Sequence, residues 1–229
     1  MQRTIKKTGL PLLATLSLLT GCDSSSTSKT SGDTTLLGLS SYTKDDLNAT
    51  QKASLAYMWH EEKLAHDLYL ALSAVNYSMP LAMIPIKSEI VHMQYVEELV
   101  AWYNIDVTDL PDYNASYSAE ELDAMEPGIF ALEEVQNLYN TLYNFGETNL
   151  TSSLQAGCMV EVLDVDDLDA YIAQSKENKA LLDTFTILRE GSYKHYWKFH
   201  DTLKDIDGVG CAFSRDGVDY NKTGEYPNY

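Results

Sequence analysis

Apolar residues recur at intervals of three and four along four long stretches of the chain, which is the period of helices that bury one face. The first stretch begins at Leu55, and the second begins at Pro85 after a break at Met79-Pro80. The third runs from about Ser152 to Gln174, and the fourth from about Asn178 to Asp205. Each is long enough for a helix of roughly 30 Å. The pattern therefore predicts an all-α fold. In the second stretch the pattern predicts that the following residues face the interior: Ile86, Ile90, Met93, Val96, Val100 and Tyr103.

A long connection separates the second stretch from the third. Pro111 and Glu126-Pro127-Gly128 interrupt it, and a short amphipathic helix at about Leu132 to Phe145 is stopped by Gly146. A connection of this length is needed when the second and third helices of a bundle run parallel, because the chain must return along the whole bundle. The sequence thus predicts a four-helix bundle with a long crossover that contains an extra short helix.

The N-terminus has the order of a bacterial lipoprotein signal. Basic residues precede an apolar run, which is too short for a stable transmembrane helix and ends in Leu19-Thr20-Gly21-Cys22. We expect residues 1–21 to be a signal peptide and Cys22 to be lipidated; the alternative is an ordinary signal peptide with a coincidental cysteine. Residues 22–42, rich in Ser and Thr, are predicted to be a flexible tether, 43–210 the bundle and 211–229 a C-terminal tail.

The expected location is outside the inner membrane, on the periplasmic or cell-surface face, held by the lipid anchor. The net charge is −18, and loss of a signal with three basic residues and no acid makes it about −21. Such a surface repels nucleic acid, so we expect no nucleic-acid partner. A lipid anchor on every subunit conflicts with a closed storage shell, which leaves a monomer or a dimer.

Two cysteines remain after Cys22. Cys158 and Cys211 have no CxxC or CxxH spacing, and a pair in an oxidising compartment favours a disulfide over a metal site. If the third and fourth helices are antiparallel, the start of one lies beside the end of the other. The topology would then bring the two cysteines together.

Acids and histidines interrupt the apolar faces of all four predicted helices. The residues are Glu62, Glu89, His92, Glu161, Asp164 and His195. Burying a lone carboxylate costs several kcal/mol, and too few lysines or arginines share these faces to pair with four of them. Two divalent cations would balance the charge, and two imidazoles would complete a site suited to iron first, with manganese or zinc as alternatives. The other interpretation is a metal-free bundle with protonated, mutually hydrogen-bonded acids.

Di-iron carboxylate bundles use one Glu from each of two helices and a Glu-x-x-His from each of the others. Glu62, Glu89 to His92 and Glu161 supply three of these parts. The fourth helix departs from the pattern, because Ser192 stands where a bridging Glu is expected three residues before His195. Asp164, one turn beyond Glu161, is the candidate replacement.

Further residues near these positions are candidates for supporting roles. Tyr69 could donate a hydrogen bond or simply pack in the core, and Ser192 and His66 could orient ligands, His66 also being an alternative ligand or a surface residue. We expect Glu61, His60 and His200 to be solvated. The segment Asp205 to Gly208 begins like a calcium loop but lacks the later ligands, which indicates a turn.

Several separated motifs resemble a known family. They are Glu61 to Ala65, Ser88-Glu89 with His92-Met93, Glu126-Pro127-Gly128, Gly157 with Glu161, Asp164 and Asp167-Leu168, and Gly191-Ser192 with His195 and Phe199. Over about Leu55 to Leu203 the chain is similar to the ferritin-like proteins grouped as domain of unknown function 2202. The resemblance implies a ferritin-like fold and a metal site, with Ser-x-x-His as the family's own pattern, but no settled reaction.

Two functions are compatible with these observations. The first is a di-iron oxidoreductase that oxidises Fe(II) or reduces dioxygen or peroxide in the dry interior of the bundle. The second is a membrane-tethered protein that binds metal, or docks on a partner, without chemistry.

Overall fold

Residues 35–228 are described by a computed structural model, and they are mostly helical. Within this range the α-helices are α1 (Ala49–Val75), α2 (Met79–Ile84), α3 (Ile90–Tyr103), α4 (Glu133–Gly146), α5 (Leu150–Gln174) and α6 (Lys179–Asp207). A π-helical segment, Pro85–Glu89, joins α2 to α3, and short 3-10 helices form at Leu39–Ser41 and Ala119–Ala124. Strands β1 (Ser214–Arg215) and β2 (Val218–Asp219) pair as a small antiparallel hairpin. The all-α prediction is confirmed.

Asparagine caps begin three of the long helices. The side chains of Asn48, Asn149 and Asn178 each accept a hydrogen bond from the backbone N–H three residues later. Such a bond satisfies one of the amides that a helix start leaves without a partner. Gly208, with φ +77°, ends α6 in the left-handed conformation that glycine adopts without strain.

The helix predicted to start at Pro85 starts earlier, at Met79. Pro80 lies in the first turn, where a missing N–H costs little, while Pro85 falls inside the continuous helical run at the beginning of the π-helical segment. The wider π turn changes the register that an uninterrupted α-helix would keep. Ile86 and Ile90 are consequently 49% and 42% exposed, so the expectation that they face inward is wrong.

The four long helical runs pack around one another. Helix α5 lies along α6, α1 contacts α3 and α5, and α3 contacts α6, while α4 covers α1 and α5. The buried apolar side chains form two clusters, one that includes Leu72, Leu154 and Phe199 and one that includes Leu55 and Leu188. Glu62 on α1 lies between Met58 of the second cluster and Leu64 of the first, and His195 on α6 lies between Leu188 of the second cluster and Phe199 of the first. On α5, Glu161 is flanked by Val160 and Val162 of the first cluster.

Residues 35–42, predicted to be part of the tether, lie against the helices. The backbone amides of Leu36 and Leu37 donate to the Glu98 carboxylate at 2.7 and 3.0 Å, Leu39 is buried, and the Tyr42 hydroxyl donates to Asp183 at 2.9 Å. The predicted signal peptide and the lipidated Cys22 fall outside the described residues. Within residues 35–228, no helix combines the length and apolar character required to cross a membrane.

The C-terminal tail packs on α6. Cys158 and Cys211 form a disulfide with a Cα–Cα distance of 5.9 Å, which ties the tail to α5. The Tyr196 hydroxyl donates to the carbonyl of Tyr220 and accepts from the amide of Lys222. His200 is 5% exposed and its Nδ1 accepts from the Cys211 amide, so the expectation that it is solvated is wrong. The segment Asp205 to Gly208, predicted to be a turn, is helical up to Asp207, and Gly208 ends the helix.

Candidate metal centre

Five of the predicted ligands meet in the interior, and each comes from a different part of the helical framework. Glu62 is on α1, Glu89 ends the π-helical segment, His92 is on α3, Glu161 is on α5 and His195 is on α6. All five residues are at most 5% exposed. Groups of this kind are rarely buried without a compensating partner.

The Glu89 carboxylate lies between the two imidazoles. Its Oε2 is 3.0 Å from Nδ1 of His92, and its Oε1 is 3.0 Å from Nδ1 of His195. The ligand atoms of these three residues all lie within 4.8 Å of one another. One carboxylate therefore faces both histidines with separate oxygens, as a bridging ligand does.

Each of the other two acids faces one of the two imidazoles. Glu62 Oε2 is 3.3 Å from Nδ1 of His92, and Glu161 Oε2 is 3.5 Å from Nδ1 of His195. The two imidazole ring centroids are 5.3 Å apart. Each histidine thus has one acid of its own and shares Glu89 with the other histidine.

Asp164, the sixth predicted ligand, occupies a different position. It is only partly buried, and its carboxylate accepts a hydrogen bond from the Ser192 hydroxyl on α6. Ser192 is the residue that stands where a bridging Glu is expected. The Asp164 carboxylate therefore lies beside the position of α6 where the bridging Glu is missing, and it contacts Ser192 rather than an imidazole.

Hydrogen bonds with Tyr69 and Ser88 orient the cluster. The Tyr69 hydroxyl donates to Glu161 Oε1 at 2.5 Å, and Tyr69 packs edge-on against Phe199. Nε2 of His195 is 2.7 Å from Oγ of Ser88, which leaves Nδ1 to face the acids. Sequence reasoning missed the role of Ser88, although its position beside Glu89 in a shared motif was a usable signal.

Gly191 was also missed as a site residue. A Cβ atom at this position would lie 2.3 Å from Nε2 of His92, closer than any real contact. A glycine in the middle of a 29-residue helix costs stability relative to alanine, which was the available signal that something packs against it.

The electrostatics of the cluster favour positive charge near the imidazoles. Burial opposes charge on His195, but Glu89 and Glu161 outweigh it and raise the pKa of His195 to about 10. The pKa of His92 is likewise raised well above its usual value against the effect of burial, by Glu62 and Glu89. Without another cation, the two imidazoles hold protons that balance the surrounding acids.

The pKa values of the acids shift in different directions. Burial raises the pKa of Glu62 to about 7, with repulsion from Glu89 and Glu161 adding to the shift against the attraction of His92. Burial, Glu62 and Glu161 raise the pKa of Asp164 well above its usual range. For Glu89, burial acts upward but the two imidazoles prevail and hold its pKa below the usual range. Glu89 is thus the acid most firmly kept as a carboxylate.

Several ligand atoms lack a well-aligned hydrogen bond. Within the described part of the chain, the buried atoms with none include Glu62 Oε1, His92 Nδ1 and His195 Nδ1. Three orphaned atoms in one small volume would be costly in a finished polar network. A cation that accepts their lone pairs would satisfy them, so the residues present fit a metal.

His66 and His60 lie outside the cluster. His66, 20% exposed at its side chain, pairs with Asp67 at 2.9 Å, in a network where Asp67 also accepts from Lys63 and from the Gly128 amide. His60 is fully buried, with Nε2 2.8 Å from the Val107 carbonyl, so the expectation that it is solvated is wrong.

Glu61 also differs from the expectation of a solvated side chain. Its Oε2 is buried, and burial raises the pKa of Glu61 well above the usual range, with Asp167 and Asp164 adding to the shift. The predicted α1 stripe placed Glu61 toward solvent, but α4 and α5 cover this side of α1, and Leu138, Val160 and Leu163 line a small cavity with it.

Comparisons with known proteins give relatives without a named activity. The chain is 29% identical over 161 residues to the uncharacterised protein MJ0754 of Methanocaldococcus jannaschii, covering 70% of this chain and 79% of the relative. The crystal structure of the hypothetical protein MJ0754 matches with a TM-score of 0.66 at 26% identity, covering 80% of this chain and 95% of the other. Residues 51–216 match the family described as an uncharacterised protein domain, DUF2202. The chain therefore belongs to the DUF2202 family.

Proposed function

We propose that this protein is a ferritin-like four-helix bundle that binds two divalent metal ions, iron in the first place, between Glu62, Glu89, His92, Glu161 and His195. The observation that carries the proposal is the Glu89 carboxylate, with one oxygen 3.0 Å from Nδ1 of each histidine. In this proposal Asp164 supplies a further carboxylate beside Ser192.

The fold supports a bundle of this type. The four long runs are α1, the continuous run from α2 to α3, α5 and α6, and the connection of residues 104–149 with its short α4 joins the second run to the third. A bundle with one long crossover is the arrangement of ferritin-like proteins. The acids and histidines occupy its interior, where such proteins hold their metals.

The spacing of the ligand atoms supports metal binding. Two donors in neighbouring positions around one ion, each about 2.1 Å from it, lie about 3.0 Å apart. The four Nδ1–oxygen distances of 3.0, 3.0, 3.3 and 3.5 Å are close to that separation. Carboxylate and imidazole together suit iron, manganese or zinc.

The charge balance supports two cations rather than one. Glu62, Glu89, Glu161 and Asp164 carry four negative charges when ionised, and protons on His92 and His195 supply two positive charges at most. Two divalent ions would balance the four carboxylates and return both imidazoles to the neutral form that ligates metal. Burial is the main cause of the raised pKa values of Glu62 and Asp164, and repulsion among the acids adds to it. Two bound ions would offset that repulsion.

For function, we propose an oxidoreductase that oxidises Fe(II) with dioxygen or peroxide. A bound iron pair would supply two electrons: to peroxide, with two protons consumed and two waters formed, or to dioxygen, with two protons consumed and one hydrogen peroxide formed. The protein residues contribute a dry interior, the fixed carboxylates and the Tyr69 hydroxyl, which stands beside Glu161 at 2.5 Å as a hydrogen-bond donor.

The test is to load the protein anaerobically with Fe(II), add air or peroxide, and follow near-ultraviolet charge-transfer absorption of oxidised iron. We expect two irons per chain and rapid oxidation, with both lost in Glu62→Ala. The exposed Glu120→Ala is the matched control. Two bound irons that oxidise no faster than free Fe(II) would remove the redox part of the proposal and leave the metal site.

A second candidate is capture of a single, redox-inert ion. It is favoured by the tight grouping of Glu89, His92 and His195, which is the ligand set of a mononuclear site, such as one for zinc. Elemental analysis of protein purified from its native membrane distinguishes the two: one zinc per chain supports this candidate, and two irons support the first.

We further propose that the chain is exported and held at a membrane surface by lipid on Cys22. The support is the order of basic residues, apolar run and Leu19-Thr20-Gly21-Cys22. Incorporation of labelled palmitate that disappears in Cys22→Ala tests it.

A further inference from the structure

An open cleft lies beside the candidate metal centre, between the run from α2 to the π-helical segment and α6. We call it the His195 cleft. Ser88 and His195, which are hydrogen-bonded to each other at 2.7 Å, are among its lining residues. Because Glu89 follows Ser88 directly, adjacent residues of one segment face the cleft and the metal ligands.

His195 lies between the cleft and the other candidate metal ligands. Its Nδ1 faces Glu89 and Glu161 in the interior, while its Nε2 meets Ser88, which lines the cleft. A molecule in the cleft would therefore contact the far edge of a ligand imidazole, and one side-chain layer would separate it from the cluster.

The charge of the cleft is opposite to that of the protein. Lys87, Lys194 and Lys198 line it, and among the described residues that do so none is acidic. The whole chain has 34 acids against 16 lysines and arginines. Lys87 and Lys198, both exposed, therefore give the cleft a positive rim that favours an anion.

The rest of the lining is apolar and adaptable. Met79 and Met83 contribute flexible thioether side chains beside Pro80 and Ile84, and Met79 is 63% exposed. Unbranched methionines adjust to ligands of different shape, and exposed ones are common at binding surfaces. The cleft thus combines an apolar wall with a cationic rim.

We propose that the His195 cleft binds a small amphipathic anion, a carboxylate with a short apolar body. The carboxylate is held by Lys87 and Lys198, and the apolar body lies on Met79 and Met83. The approach of this molecule to the metal pair rests on the proposed function, whereas its binding to the cleft does not require metal.

The test of binding is calorimetric titration of the metal-depleted, full-length chain with three ligands of one length: octanoate, octanamide and octylammonium. We expect octanoate to bind, the neutral amide to bind more weakly, and the cation not to bind. Equal binding of octanoate and octylammonium would overturn the proposal. Binding of anionic lipid vesicles without binding of monomeric octanoate would also overturn it and indicate a membrane-contact surface.

Variants locate the ligand. Lys87 and Lys198 are exposed, so Lys87→Glu with Lys198→Glu should fold normally and weaken octanoate binding by about tenfold or more. The matched control, Lys52→Glu with Lys176→Glu, makes the same change in net charge away from the cleft and should leave binding within about twofold. Equal losses in both double variants would contradict a local site. Met83→Trp should block the cleft without a change in charge.

A final measurement separates this inference from the proposed function. Octanoate added to cobalt-loaded protein should shift the visible bands of the metal through contact with His195, and Met83→Trp should abolish the shift. Cobalt bound at two per chain with no octanoate binding would overturn the cleft alone. Octanoate bound to a chain that takes up no metal would overturn the metal site and leave the cleft.

Discussion

Gly191 lies against the imidazole of His92 so closely that a Cβ atom there would be 2.3 Å from Nε2. In an exposed helix, Gly→Ala stabilises by about 1 kcal/mol. Here the clash with a ring held between Glu62 and Glu89 should outweigh that gain. The contact implies that the backbone of α6 fixes the position of a candidate ligand on α3.

Gly191→Ala is therefore expected to weaken metal binding by about 10- to 100-fold, the usual effect of displacing a group that orients a ligand. Equilibrium dialysis against Co(II) or Zn(II) measures it. Gly224→Ala, where a Cβ atom meets nothing within 4 Å, is the control and should bind as the unaltered protein does. Unchanged affinity in Gly191→Ala would mean that His92 is not a ligand.

Replacement of the shared acid should affect both metal positions. Glu89→Gln keeps the shape of the side chain but removes the charge that faces both imidazoles at 3.0 Å. We expect the affinity for both ions to fall by more than about 100-fold, since a ligand is lost rather than a supporting group. Metal content after dialysis is the readout, with Glu97→Gln, exposed on the same run of helix, as the control. Loss of one ion with full retention of the other would contradict a bridging role.

The disulfide should contribute strongly to stability. Cys158 and Cys211 are 53 residues apart in the chain, and closing a loop of that length lowers the entropy of the unfolded state by an amount worth about 4 kcal/mol. The Cys158→Ala, Cys211→Ala double variant should lose about this free energy of unfolding in urea. Its folded form should still bind metal, because neither sulfur contacts the cluster's acids or histidines in the described structure.

Burial of His60 should make the protein sensitive to acid. Burial lowers the pKa of His60 from 6.5 to about 4. Between these values the unfolded chain binds a proton that the folded one does not, so stability is complete above pH 6.5 and is lost as pH falls toward 4. The expected loss attributable to this residue is about 3 kcal/mol.

Urea unfolding of the metal-free protein at pH 7 and pH 4 measures this loss. His60→Gln retains a donor for the Val107 carbonyl, which lies 2.8 Å from the imidazole Nε2. The variant should lose less free energy of unfolding over the same pH interval. Protonation of buried carboxylates such as Glu89 should lower the stability of both proteins by the same amount. Identical losses in the two proteins would show that His60 does not titrate as described.

The sequence by itself determined the helices. Apolar periodicity and asparagine caps are local properties, because burial of one face and satisfaction of the first amides depend on residues within a few turns. The predicted bounds of α5 and α6 agree with the observed Leu150–Gln174 and Lys179–Asp207 to within two residues. The i, i+3 spacing of Glu89 and His92 likewise required only helical geometry.

The tertiary structure decided what depends on the rotation of one helix against another. The π-helical turn at Pro85–Glu89 turned Ile86 and Ile90 outward, and packing against the residue 107 loop and the Cys211 loop buried His60 and His200. The tertiary structure likewise decided that Glu89 lies between two histidines that are 103 residues apart in the chain. Spacing along one helix shows which side a residue occupies, but the neighbours it meets there are chosen by the long-range packing of the whole core.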